Sequence, residues 1–252
     1  PDIRWRIADS LAALFETNPK LARDFAEGWA KNYPDDTLAR HTLLALSGKK
    51  DQDMKDFTTK LFDDFSKTYD LKMKELDNQS VTEIQKILEG QTYAKALDLG
   101  CGTGAFGLAY KPQIKHLTGV DLSKNMIDLA KKTNTYDKLV HQDSVSFLQK
   151  THTRFDLITM VDVLGYFPDI KDIFPLISTH LKREGHFAFS VETTDASDVI
   201  LAPHGRYLYR ISYLESELQK AHLRIIRKQE SNLRKEGFGY AHGVIILAEL
   251  DN

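Results

Sequence analysis

The segment AKALDLGCGTGAFG, residues 94–107, limits the possible folds of this chain more than any other. A short apolar run leads into Asp98, and glycines follow at 100, 102, 104 and 107. That spacing suits a strand that turns sharply into a helix while its backbone approaches a ligand with no Cβ in the way. Further apolar strands follow at intervals: HLTGVDLS, KLVHQDS, RFDLITMV and GHFAFSVET. Helical segments are expected between them at 105–110, 123–132, 144–150 and 170–182. This alternation predicts an α/β fold with a doubly wound, Rossmann-like parallel sheet. At the end LRIIRKQESNLRKE runs straight into GFGYAHGVIILAEL with no helix between. The spacing predicts a hairpin there. It completes seven strands, the last antiparallel and at the sheet edge.

The chain before residue 90 reads as helices. Ile3, Ile7, Leu11, Leu14 and Phe15 share one face, and a second helix is expected from Pro19, which suits a first turn. A third is expected from about Thr37 to Leu46. Ala22 and Ala26, with Pro34 beyond them, resemble the second helix of a tetratricopeptide repeat and its closing proline. A plain helical hairpin is the other reading. Residues 1–48 are therefore expected as a helical extension, and 49–252 as the main domain. Within the latter, 49–90 supply helices over the ligand site and 91–252 the Rossmann-like core. GKKDQDMKD, residues 48–56, reads as a linker, residues 57–76 as one helix, and Ser80 with Glu83 as a capping box. The chain opens at Pro1 rather than Met, from which an upstream segment is expected.

Composition removes several functions. Lys plus Arg is 34 against 36 Asp plus Glu, a net charge of −2, which argues against duplex nucleic acid as the partner. No stretch approaches the ~20 apolar residues of a membrane span, and no signal peptide opens the chain. The one cysteine, Cys101, excludes an internal disulfide and a cysteine-cluster zinc site. A lone thiol suits the cytoplasm. No metal is expected; Asp169 and Asp172 beside Pro168 read as a helix N-terminal turn.

The glycine loop fits two ligands. Gly102, Gly104 and Gly107 spell the dinucleotide pattern GxGxxG. Asp98, Gly100, Gly102 and Gly104 spell DxGxGxG, the loop that holds S-adenosylmethionine (SAM). A pyrophosphate needs bare N–H groups at a helix N-terminus. SAM carries an ammonium, and Asp98 is placed to meet it. Asp121, ending the second strand, suits the ribose hydroxyls of either ligand. Asp143 and Ser144, ending the third, suit an adenine amino group, although either also serves as a helix N-cap. No tyrosine has a lysine four residues on, the pair a short-chain reductase needs.

DLGCGTG, GVDLS, HQDS and FDLITMVDVLGYF resemble the successive motifs of class I SAM-dependent methyltransferases. ARHTLLALSG, LFDDFSKTYD and HGRYLYRISYLESEL make the chain similar to a bacterial group of predicted methyltransferases that carry tetratricopeptide repeats. The resemblance implies that Gly100, Cys101, Gly102, Thr103 and Gly104 hold the methionine end. It implies Asp121 and Leu122 for the ribose, Met126 packed on the adenine, Asp143 and Ser144 for the base, and the backbone of Met160 and Val161 for the methionine portion. Tyr69 looks like the tyrosine that closes over the SAM carboxylate in ubiquinone- and menaquinone-type enzymes. Many relatives carry histidine in a DVLxH pattern after the fourth strand; Tyr166 stands there in this chain.

The expected product of such a reaction is S-adenosylhomocysteine (SAH). Candidates for catalysis around the site mouth are Asp162, Tyr166, His204, Arg206 and Tyr207, with Glu192 and Thr193 after the fifth strand. APHGRYLYR, residues 202–210, reads as a lid or substrate loop. Cys101, inside the glycine loop, cannot serve as a covalent nucleophile. The leading reading is methyl transfer to an oxygen or nitrogen of a small molecule. The alternatives are a protein methyltransferase whose N-terminal helices recruit the substrate, a non-catalytic SAM-binding scaffold, and a nicotinamide-dependent oxidoreductase.

Overall fold

A computed structural model describes residues 3–51, 54–236 and 239–251. Gln52 and Asp53, in the expected linker, and Gly237 and Phe238, in the expected hairpin, lie outside the described residues. The main sheet contains β1 (Tyr93–Leu99), β2 (Ile114–Asp121), β3 (Lys138–His141), β4 (Phe155–Met160), β5 (Leu181–Glu192), β8 (Leu223–Glu236) and β9 (Gly239–Leu250). Its order is β3-β2-β1-β4-β5-β9-β8. The first five strands are mutually parallel, and β9 runs antiparallel to both neighbours. The strand order therefore reverses beside β1, and a crevice opens at the carboxyl ends of β1 and β4.

The antiparallel strand is not at the edge, as the sequence reading expected; β9 is inserted between β5 and β8. The reason lies in its side chains. Val244, Ile245, Ile246, Leu247 and Ala248 are all buried, so β9 is apolar on both faces and needs cover on both. The stretch Arg224–Glu230 of β8 is largely exposed and charged, which suits an edge.

Alternate residues fill two cores, as a period of two requires. Leu97, Leu99, Phe187, Phe189 and Ile246 pack one face, with α9 (Ser144–Lys150), α10 (Ile173–His180) and α11 (Ile211–Lys220). Ala96, Leu157, Ala188, Ile245 and Leu247 pack the other, with α6 (Ser80–Ile87) and α7 (Ala105–Tyr110). Burying a large apolar side chain contributes about 1.5–3 kcal/mol, so this double-sided filling is the main source of stability.

The helices α1 (Ile3–Thr17), α2 (Pro19–Asn32) and α3 (Thr37–Leu46) match the expected N-terminal helices. They do not stand apart from the rest. Leu38 and Ala45 of α3 enter the main core, while Leu11, Ala22, Ala26 and Leu46 hold the three helices together. His41 of α3 contacts the Asp51 carboxylate through Nδ1 at 2.9 Å and the Gly205 carbonyl through Nε2 at 2.8 Å. This ties α3 to the 202–210 segment.

Three local expectations change. The helix predicted over 57–76 is two: α4 (Met54–Phe65) and α5 (Tyr69–Glu75). Ser66 Oγ and Thr68 Oγ1 donate back to the Asp63 and Phe65 carbonyls, an alternative to continuing the helix. The capping box at Ser80 does not form. The Asn78 carboxamide oxygen accepts from Ser80 N, and Glu83 turns to Lys86 and Gln229. The expected helix over 170–182 is shorter, because β5 begins at Leu181. The 202–210 segment contains β7 (Tyr207–Tyr209), which pairs as a hairpin with β6 (Val199–Leu201) just before it.

Gly243 shows how tightly β9 is inserted. A Cβ there would lie 2.2 Å from the Val191 carbonyl oxygen and 2.5 Å from Leu233 Cδ1. Gly243→Ala is therefore expected to destabilise the protein by about 2–3 kcal/mol, read as a lower urea midpoint at unchanged slope. An unchanged midpoint would contradict this packing.

Candidate functional site

The crevice is built from the ends of β1, β2, β3 and β4. After β1 the chain takes left-handed conformations at Gly100, Gly102 and Gly104, with φ of 71°, 53° and 96°. Gly100 has a second constraint: a Cβ would come within 2.5 Å of Val163 Cγ2. The loop is pinned to the end of β2. The Val120 carbonyl accepts from Gly100 N (2.8 Å) and Cys101 N (3.0 Å). The Asp121 carboxylate accepts from Gly102 N (2.8 Å) and Ser123 N (2.8 Å).

Asp98 is 1% exposed at the base of the loop. It accepts from Tyr136 Oη at 2.7 Å and Thr159 Oγ1 at 2.9 Å. Burial pushes its pKa up to about 6, against the opposing hydrogen bonds. Asp121 is likewise pushed up to about 6 by burial, against its two backbone N–H donors. Both buried acids gain from a cation nearby. Burial first, then the Asp98 and Asp121 charges, raise the Cys101 thiol well above its ordinary range, so it is no nucleophile.

Two adjoining cavities meet over this loop. One, of 290 Å³, is bordered by Asp121, Leu122, Asp143 and Ser144, and by the aromatic rings of Phe62, Tyr166 and Phe167. The other, of 390 Å³, is bordered by Asp98, Cys101, Thr103, Asp70 and Ser80. Tyr69, Gly100, Gly102, Val161 and Asp162 border both. The helix break before α5 puts Tyr69 in this shared wall.

The remaining expected residues fall elsewhere. Met126 and Met160 are fully buried and border neither cavity; Met126 lies in α8 (Lys124–Lys132), whose N-cap is Ser123. Gly104 also borders neither, since it turns the chain into α7 against Thr133 and Tyr136. Asp143 does cap α9, accepting from Ser146 N at 2.6 Å, while still bordering the first cavity.

The catalytic candidates divide. Tyr207 is fully buried, and its hydroxyl accepts from Asp51 N at 2.8 Å, so it holds the chain together away from both cavities. His204 lies between Glu192 (3.5 Å) and Glu236 (3.6 Å) and borders neither cavity. Arg206 ion-pairs with Asp162 and, at 2.6 Å, with Glu192, and donates to Tyr166 Oη at 3.0 Å. Arg234 of β8 adds a second guanidinium, 2.8 Å from Glu192 and 3.7 Å from Asp162. Burial alone would raise Glu192, but Arg206, Arg234 and His204 outweigh it and hold the carboxyl at about 2. Asp162 has a φ of 61°, a left-handed conformation costly for a residue with a Cβ. Its N–H donates to Ser190 Oγ at 2.7 Å, and its carboxylate accepts from Asn78 Nδ2 at 3.0 Å.

Sequence reasoning missed Tyr136, Thr159, Asn78, Arg234 and Phe62. Each acts through a partner dozens of residues away, which no local spacing reveals.

The doubly wound sheet with an inserted antiparallel strand, and acids at the ends of β1 and β2 around a glycine loop, define a cofactor-dependent transferase-like site. The chain belongs to the methyltransferase-domain family, which it matches over residues 35–241. It is 32% identical to a ubiquinone biosynthesis O-methyltransferase of Coxiella burnetii over 111 residues, 42% of this chain and 47% of that one. It is 30% identical to the enzyme of that name from Actinobacillus pleuropneumoniae over 115 residues, 42% and 49% of the two chains. The chain thus spans about half the length of the curated relatives it matches. In fold it is similar to the 1,6-didemethyltoxoflavin-N1-methyltransferase of Burkholderia thailandensis, solved with S-adenosylhomocysteine (TM-score 0.63, 20% identity, 81% of this chain and 92% of that one). It is also similar to the N-methyltransferase NodS of Bradyrhizobium japonicum (TM-score 0.57, 19% identity, 68% and 86%).

The two raised carboxyls give a pH dependence. Each binds its proton more tightly folded than unfolded, so its contribution to stability falls as pH rises between about 4 and about 6. Asp98→Asn removes one of these groups. The stability difference between variant and parent should shift toward the variant by about 1–3 kcal/mol from about pH 4 to about pH 7, measured by urea unfolding. A difference flat across that range would contradict the assignment.

Proposed function

We propose that the chain is a SAM-dependent methyltransferase acting on an oxygen or nitrogen of a small molecule. The observation that carries this reading is the pair of adjoining cavities over the glycine loop. Asp98, Gly100, Cys101, Gly102 and Thr103 are suited to the amino-acid half of the cofactor. Asp121 and Leu122 are suited to the ribose, and Asp143 with Ser144 to the base. Tyr69, Val161 and Asp162, in the shared wall, stand where the halves join. Bound there, SAM supplies a methyl group on a positively charged sulfur. The protein's part is to hold the acceptor in line at about 3 Å and to exclude water.

The helices up to residue 48 and the domain of 49–252 work as one unit in this reading. A protein acceptor recruited through tetratricopeptide-like helices is the second reading. Ile3 and Phe25, 71% and 60% exposed, are the observation in its favour. The entry of Leu38 and Ala45 into the main core favours the first.

SAM and SAH should each raise the melting temperature, and NAD and NADP should not. A shift with NAD alone would overturn the cofactor assignment. Asp121→Ala should weaken SAM binding by roughly tenfold or more, the loss of charge-assisted hydrogen bonds. Unchanged affinity by calorimetry would refute that role.

A further inference from the structure

The acceptor end of the 290 Å³ cavity is made of rings. Phe62 meets Tyr69 edge-on at 6.0 Å and Tyr166 edge-on at 5.0 Å. With Phe167 and Val163 these rings make the apolar part of the cavity wall.

The titratable groups bordering this cavity are Lys55, Tyr69, Asp121, Asp143, Asp162 and Tyr166. A general base must be free to take a proton. Asp121 is held by the glycine loop, and Asp143 caps α9. One oxygen of Asp162 is paired with Arg206 and the other accepts from Asn78. No histidine among the described residues borders the cavity. The second oxygen of Asp143 lies 3.6 Å from Lys55 Nζ, so each of these carboxylate oxygens has a partner, and a neutral hydroxyl acceptor would find no ready base among the described residues.

The two tyrosines offer the opposite. Tyr166 Oη accepts from Arg206 Nη1, so its own hydrogen points elsewhere, and it donates to no group among the described residues. Tyr69 Oη makes no hydrogen bond among the described residues. Burial raises both phenols, and at Tyr166 the nearby Arg206 does not reverse this, so both keep their protons. The charged groups facing Tyr166 are Arg206, Asp162, Arg234 and Glu192, two of each sign. The Arg206 guanidinium carbon lies 4.7 Å from the Tyr166 ring centroid.

Two spare O–H donors, a neighbouring guanidinium and no free base among the described residues are complementary to an oxygen that is already negative. We propose that the acceptor is a flat, apolar molecule bearing an oxyanion formed in water, and that Tyr166 and Tyr69 hold this oxygen by donating to it. The inference rests on the methyltransferase reading above and specifies its substrate class: carboxylates, acidic enols or electron-poor phenols. As the acceptor oxygen bonds to the methyl carbon, the carbon–sulfur bond breaks and its electron pair stays on sulfur. The anion becomes a neutral ether or ester, the sulfonium a neutral thioether, and no proton moves.

The test uses the full chain with SAH bound. It is titrated with 4-nitrophenol, 4-cyanophenol and benzoate, and with 4-nitroanisole as the neutral counterpart. Binding should appear as each acidic probe ionises, the midpoint moving with the probe's own pKa. The anions should bind roughly tenfold or more tighter than 4-nitroanisole. Tyr166→Phe should abolish that preference and the absorbance shift of bound 4-nitrophenolate. A midpoint common to all probes, equal binding of the neutral counterpart, or no binding of any anion would overturn the inference. Failure of SAH itself to bind would instead overturn the methyltransferase reading, and this inference with it.

Discussion

The end of β2 holds the loop that follows β1, and the rest of the site depends on that attachment. One carbonyl, Val120, accepts from two successive N–H groups, and one carboxylate, Asp121, accepts from a third. Three donors fixed within a few residues leave the loop little freedom, at the point where three of its residues take left-handed conformations. Asp121 thus orders the loop while facing the cavity beside it. The same economy holds for Asp98, whose partners Tyr136 and Thr159 come from the segment before β3 and from β4.

A second cluster fixes the other side. Arg206 and Arg234 lie among Asp162, Glu192 and Glu236, and join the ends of β4, β5 and β8 to the β6–β7 hairpin. Desolvating so many charges costs much of what their attraction returns, so their effect is more one of position than of stability. They pair with Asp162, which is in a left-handed conformation, and Arg206 donates to Tyr166 Oη. His41, by joining α3 to Gly205, extends this ordering to the N-terminal helices.

Local features of the site were legible in the sequence. The glycines at 100, 102 and 104, with acids at 98, 121 and 143, follow from strand ends and turns, which are short-range patterns. The place of β9 was misread: the antiparallel strand was expected at the edge, although a run buried on both faces suits a central strand. The break at Ser66–Thr68 was not foreseen, since hydroxyls competing for helix carbonyls leave the apolar stripe intact. The sorting of His204, Arg206 and Tyr207 was beyond sequence. All three stand within four residues, yet one faces two glutamates, one an aspartate beside the cavity, and one the backbone of Asp51.

The most direct measurement is a crystal structure of the chain with SAH. The account predicts adenosine beside Asp121 and Asp143, the amino-acid end beside Asp98 and Thr103, and the sulfur at the wall formed by Tyr69 and Asp162. The ligand lying across a different surface, or its sulfur facing away from the ring-lined cavity, would contradict it.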